Sequence, residues 1–137
     1  MELTNKTICI LKLNGFEYDE LLKKFIRPNR FDGIVVDPWG QVISYPHRMQ
    51  REDYENERHL LSKLRKQIGE EWVRIPKLSW IQRHALRDFN VGWKVELLNI
   101  NVQTLTSMQK KGLIDSVCII TPKGQIMAEY LKEISKH

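Results

Sequence analysis

NVQTLTSMQKKGLIDSVCIITPKGQIMAEY, residues 101–130, reads as a short helix, a glycine stop, a β segment and a second helix. Asn101 suits the N-cap, where its side-chain oxygen accepts from a backbone N–H two or three residues on. Val102, Leu105, Met108 and Gln109 follow helical spacing, with Leu105 and Met108 as the inward stripe. Lys110 and Lys111 stand in the last turn, where positive charge opposes the helix dipole. Gly112 can adopt the left-handed conformation that ends a helix. Leu113 and Ile114 return to the core, and Val117, Cys118, Ile119 and Ile120 form a compact β run. Thr121-Pro122 opens the next helix, with Thr as cap and Pro at the first helical position, where its missing N–H costs nothing.

TLTSMQKKGLI followed by ITPKGQIMAEYL resembles the recognition helix, wing strand and closing helix of a winged helix-turn-helix domain. Repressors of the MarR and PadR types carry similar text: a hydrophobic helix ending in Lys/Arg-Gly-Leu-Ile/Val, then Leu/Ile-Thr-x-x-Gly. The resemblance covers residues 78–137 and nothing before them. It implies DNA binding, with the 102–111 helix in the major groove. On that helix Gln103, Thr106, Ser107 and Lys110 lie opposite Leu105 and Met108, and Thr104 and Lys111 flank them. Amides, hydroxyls and long cations are the groups that read base edges and grip phosphates. The plainer reading is a solvated polar face. Lys123, with Arg83 and Arg87 of the preceding helix and Lys94, would add phosphate contacts. Two departures from the family pattern stand out. Trp93–Ile100 should hold the helix that supports the recognition helix, yet it is short and partly β-like. Only Asp115 and Ser116 separate Ile114 from Val117, too little for a long basic wing, and Asp115 repels phosphate.

The rest of the chain is ordinary for a globular protein: 137 residues, 42% hydrophobic and 28% charged. Its apolar runs fall far short of the roughly 20 residues that span a bilayer. Met1–Gly15 lacks the pattern of a signal peptide. Cys9 and Cys118 lie in apolar runs without CxxC spacing, which points to reduced, buried residues in a cytoplasmic protein. The net charge of +5 concentrates in residues 48–94, where eleven basic groups face seven acidic ones. That excess suits a polyanion, because neutralised phosphates release counterions.

Upstream, Thr7–Leu13 is rich in β-branched residues and predicts a strand. Glu17–Ile26 places Tyr18, Leu21, Leu22, Phe25 and Ile26 at helical spacing. Gly33–Val36 and Gln41–Tyr45 flank Asp37-Pro38-Trp39-Gly40, a strong hairpin turn. Residues 1–50 therefore predict a β-α-β-β unit. Glu52–Ile68 predicts a charged helix whose stripe includes Leu60 and Leu64, candidates for a homodimer contact or for a joint between domains. A linker interrupted by Pro76 follows, making 51–77 a helix-and-linker segment. Leu78–Phe89 predicts the first helix of the C-terminal domain, with Ser79 as cap.

Chemistry beyond binding is sparse. His47, His59, His84 and His137 share no metal-ligand spacing, and no phosphate loop or nucleophile elbow occurs. Asp32, Asp37 and His47 could surround the hairpin, but turn and capping roles explain the two aspartates. Trp39 at a turn tip is either packed back on its hairpin or an anchor for a partner. The expectation is an α+β protein that is not an enzyme and needs no cofactor or metal. It would bind double-stranded DNA, for which a transcriptional regulator is the natural role. The alternative is a protein-interaction module, an adaptor or inhibitor, that uses the winged fold or the N-terminal hairpin.

Overall fold

The structure is a computed structural model that describes residues 3–28, 33–45, 50–92 and 100–134. The chain is α+β: a five-stranded antiparallel sheet with helices before and after it. It divides into two compact units, Met1–Arg74 and Ile75–His137.

Unit 1 opens with helix α1 (Asn5–Leu13), where the sequence had predicted a strand. Packing of Leu11 in one core with Leu60 and Leu64, together with local capping, overrides the β-branched composition. The Thr4 hydroxyl accepts from the Thr7 N–H, and the Asn14 amide donates to the Ile10 carbonyl at 2.8 Å. Thr7, Cys9, Ile10 and Leu11 are buried, so burial around most of the helix erases a clean periodic signal. The strands β1 (Glu17–Asp19), β2 (Lys24–Pro28), β3 (Gly33–Asp37), β4 (Gln41–Tyr45) and β5 (Gln50–Asp53) then form a meander in sequence order.

The predicted helix over 17–26 is thus a hairpin, and the β-α-β-β order for residues 1–50 is replaced by one helix and four strands, with β5 following over residues 50–53. Tyr18 and Phe25 are direct cross-strand partners with ring centroids 5.0 Å apart. Seven residues of separation is two helical turns, but it also spans a hairpin turn, and the apolar positions fit both. The turn itself is closed by Asp19, whose carboxylate accepts from the Leu21 and Leu22 N–H groups. The β3–β4 turn matches its signal. Asp37 accepts from the Trp39 N–H at 2.9 Å, and Gly40 takes φ +132°.

Helix α2 (Glu57–Ile68) starts later than the charge pattern predicts, because β5 takes residues 50–53 and Asn56 supplies the cap. One face of the sheet carries Phe25, Val36 and Val42, which join Leu11, Phe16, Leu60 and Leu64 in a single core. Leu60 and Leu64 are fully buried there, at 0% exposure. Their assignment as a dimer contact is corrected: the stripe is closed inside its own unit.

Unit 2 holds α3 (Trp80–Asn90), α4 (Val102–Lys110) and α5 (Pro122–Ile134). Ser79 and Gln82 form a reciprocal capping box at the start of α3. The helix expected over Trp93–Ile100, and Lys94 with it, falls on residues 93–99, outside the described residues. Val117–Ile120 is not a strand. Its only ladder contact among the described residues is the single antiparallel bridge Ile114↔Ile120. The Asp115 carboxylate accepts from the Val117 and Ile119 N–H groups and winds the segment into a tight turn, with Cys118 at φ +62°. Five residues between the bridge partners leave no room for paired strands.

Candidate nucleic-acid interface

Helix α4 is held by a polar clasp on Gln82 of α3. Gln82 is 7% exposed, yet its amide is satisfied on both ends. Its oxygen accepts from the Ser79 N–H at 3.0 Å and from Lys111 Nζ at 2.9 Å, and its nitrogen donates to Ser107 Oγ at 2.8 Å. Lys111 also donates to the Lys77 carbonyl at 2.6 Å. Ser107 and Lys111, both predicted to face a ligand, are therefore half-buried tethers between α3 and α4. Met108 is fully buried and anchors the apolar side of α4.

The outward side of α4 then consists of Val102, Gln103, Thr106 and Lys110, all exposed, while Thr104 is half-buried. The Thr106 hydroxyl donates back to the Val102 carbonyl at 2.9 Å, which leaves its lone pairs outward. Lys123 lies across the end of α4, its stem within van der Waals range of a Cβ at Gly112. The resemblance implies a phosphate contact for Lys123 but says nothing of its place beside α4.

Arg83 and Arg87 occupy a different setting, on the outward face of α3. With Trp80, His84, Leu131 and Ile134 they line a recess of about 250 Å³ between α3 and α5. Trp80 is 74% exposed and meets the His84 imidazole edge-on at 4.3 Å. Trp80 escaped notice in the sequence and His84 was weighed only as a metal ligand, although positions 80, 83, 84 and 87 follow the helical i, i+3, i+4, i+7 spacing that puts them on one face.

Charge distinguishes the two units. Unit 2 carries nine Lys/Arg against five Asp/Glu, net +4 of the chain's +5. The ion pairs Arg27–Glu71 and Lys63–Glu52 both belong to unit 1. Lys77, Arg83, Arg87, Lys110 and Lys123 have no carboxylate partner among the described residues.

In unit 1, Trp39 is 71% exposed and borders a groove of about 460 Å³ together with Ile8, Lys12, Tyr18, Lys23 and Phe25. The acid/base set imagined around the hairpin does not assemble here: Asp37 serves the turn, and Asp32 and His47 lie outside the described residues. The His59 imidazole accepts from the Glu55 N–H. Among the described residues no group of three or more His, Cys, Asp or Glu is placed to hold a metal ion, and no helix is long and apolar enough to cross a membrane. Comparison with family models, with curated proteins and with solved structures returns no match for this chain.

Proposed function

We propose that this protein binds double-stranded DNA through unit 2 as a non-enzymatic regulator. In this reading α3, α4 and α5 are helices of a winged helix-turn-helix, and the short turn after Ile114 replaces the wing. Gln103, Thr106 and Lys110 face base edges in the major groove, and Lys123 and Lys77 meet phosphates. Arg83, Arg87 and the Trp80 ring extend the basic surface along α3. The observation that carries the reading is the set of unit 2 cations without carboxylate partners among the described residues. Such cations lose little by moving onto phosphates and gain the entropy of released counterions.

The test is an amide NMR titration of the whole chain with a mixed-sequence duplex at low salt. The reading expects the largest shifts at Gln103, Thr106 and Lys110, with smaller ones at Arg83 and Arg87. Shifts confined to residues 3–74, or none at all, would sink it.

A further inference from the structure

Every large hydrophobic residue that unit 1 leaves exposed, among those described, gathers at one end of its sheet. Tyr18 is 46% exposed, Leu21 95%, Leu22 59% and Trp39 71%. The topology explains the gathering. In a meander the β1–β2 and β3–β4 turns fall at the same end, so Leu21-Leu22 and Pro38-Trp39 rise side by side. The groove bordered by Tyr18, Pro38 and Trp39 is mostly apolar, with Ile8 and Phe25 also lining it together with Lys12 of α1 and Lys23 of the β1–β2 turn. Neither lysine has a carboxylate partner among the described residues. Two of the nearby acids, Asp19 and Asp37, accept from backbone N–H groups of their own turns.

We propose that this groove docks a segment of a partner protein that carries bulky apolar side chains beside Asp or Glu. The apolar groups would meet Tyr18 and Trp39, and the acids would meet Lys12 and Lys23. Clustered exposed aromatics mark protein-interaction surfaces, and aromatic anchors dominate binding hot spots. The charge selects this occupant over others. A second copy docked through a twofold axis would present the same patch to itself and bring the lysines of the two copies together. An anionic membrane would meet exposed Glu20 at the very tip that must insert. The proposal is independent of DNA binding by unit 2.

The experiment is selection of a displayed random peptide library on the full-length protein, followed by affinities for the recovered peptides. The expected consensus pairs Leu, Ile, Phe or Trp with Asp or Glu. Trp39→Ala should abolish detectable binding. A Lys12→Gln/Lys23→Asn double variant should weaken it about tenfold, as loss of two partly exposed ion pairs implies. Asn is chosen because Lys23 sits at φ +55°, a conformation Asn tolerates, so the backbone is preserved. Circular dichroism of each variant separates lost binding from lost folding. Recovered peptides without acids, or peptides that bind Trp39→Ala equally well, would overturn the proposal. So would association of the wild type with anionic vesicles, or with itself, that Trp39→Ala removes.

Discussion

Gly124 shows how much a single residue can carry. It lies buried in the first turn of α5, where an added Cβ would sit 2.1 Å from the Leu113 carbonyl oxygen and 2.8 Å from the Ile120 side chain. Neither neighbour can easily yield, since Leu113 is fully buried and its carbonyl accepts from the Thr121 N–H at 3.0 Å. Gly124→Ala is therefore expected to destabilise unit 2 by at least the 1–3 kcal/mol typical of overpacking, read from urea denaturation. Gly112→Ala should also destabilise, through its φ of +75° rather than through a clash. Two buried groups in unit 1 set a second expectation. Burial pushes the Cys9 thiol up to about 11, against a small opposing pull from Lys12. Burial, then the nearby Asp37 and Glu57 charges, pushes the Tyr54 hydroxyl up to about 12 despite the hydrogen bond to Gly40. Both groups ionise more readily in the unfolded chain, so the unfolded state sheds protons first as pH rises. Stability is then intact below about pH 9 and falls between pH 9 and 12. A pH series of thermal melts should show that decline, and Tyr54→Phe should reduce it.

Among the elements, α4 and its clasp separate two lysines that look equivalent in the sequence. Lys111 is tied to Gln82 and the Lys77 carbonyl, whereas Lys110 projects outward. Lys111→Ala should cost about 1–3 kcal/mol, since it removes a charged hydrogen bond and strips the buried Gln82 of a donor. Lys110→Ala should change stability by less than about 0.5 kcal/mol. Denaturant midpoints for the two variants settle the contrast. The same elements show which features were legible beforehand. Asn101, Gly112 and Thr121-Pro122 announce α4 and α5 because caps act within four residues and need no tertiary context. Ser79 likewise marks α3, and Asp37-Pro38-x-Gly40 marks its hairpin. Thr7–Leu13 and Glu17–Ile26 were misread because their states depend on partners far along the chain. Phe25 pairs with Val36, and α1 packs through Leu11 with Leu60 and Leu64. The clasp itself was equally hidden, since nothing local marks Gln82, Ser107 and Lys111 as one network.

For the whole molecule, the division of labour follows charge and burial. Unit 1 closes Leu60 and Leu64 into its own core and carries the Arg27–Glu71 and Lys63–Glu52 ion pairs. Unit 2 holds most of the net positive charge, and its Lys77, Arg83, Arg87, Lys110 and Lys123 have no carboxylate partner among the described residues. That asymmetry was only half visible in the sequence. The basic excess could be counted, but which cations were free and which were tethers required the fold. The decisive measurement is a salt titration of binding to a mixed-sequence duplex, for the wild type, Lys110→Ala and Lys110→Ala/Arg87→Ala, with Lys111 left in place to preserve the clasp. DNA binding by unit 2 predicts an affinity that falls steeply with salt. The log–log slope should shrink by about one for each phosphate contact removed. No binding at low salt, or a slope unchanged in both variants, would contradict it.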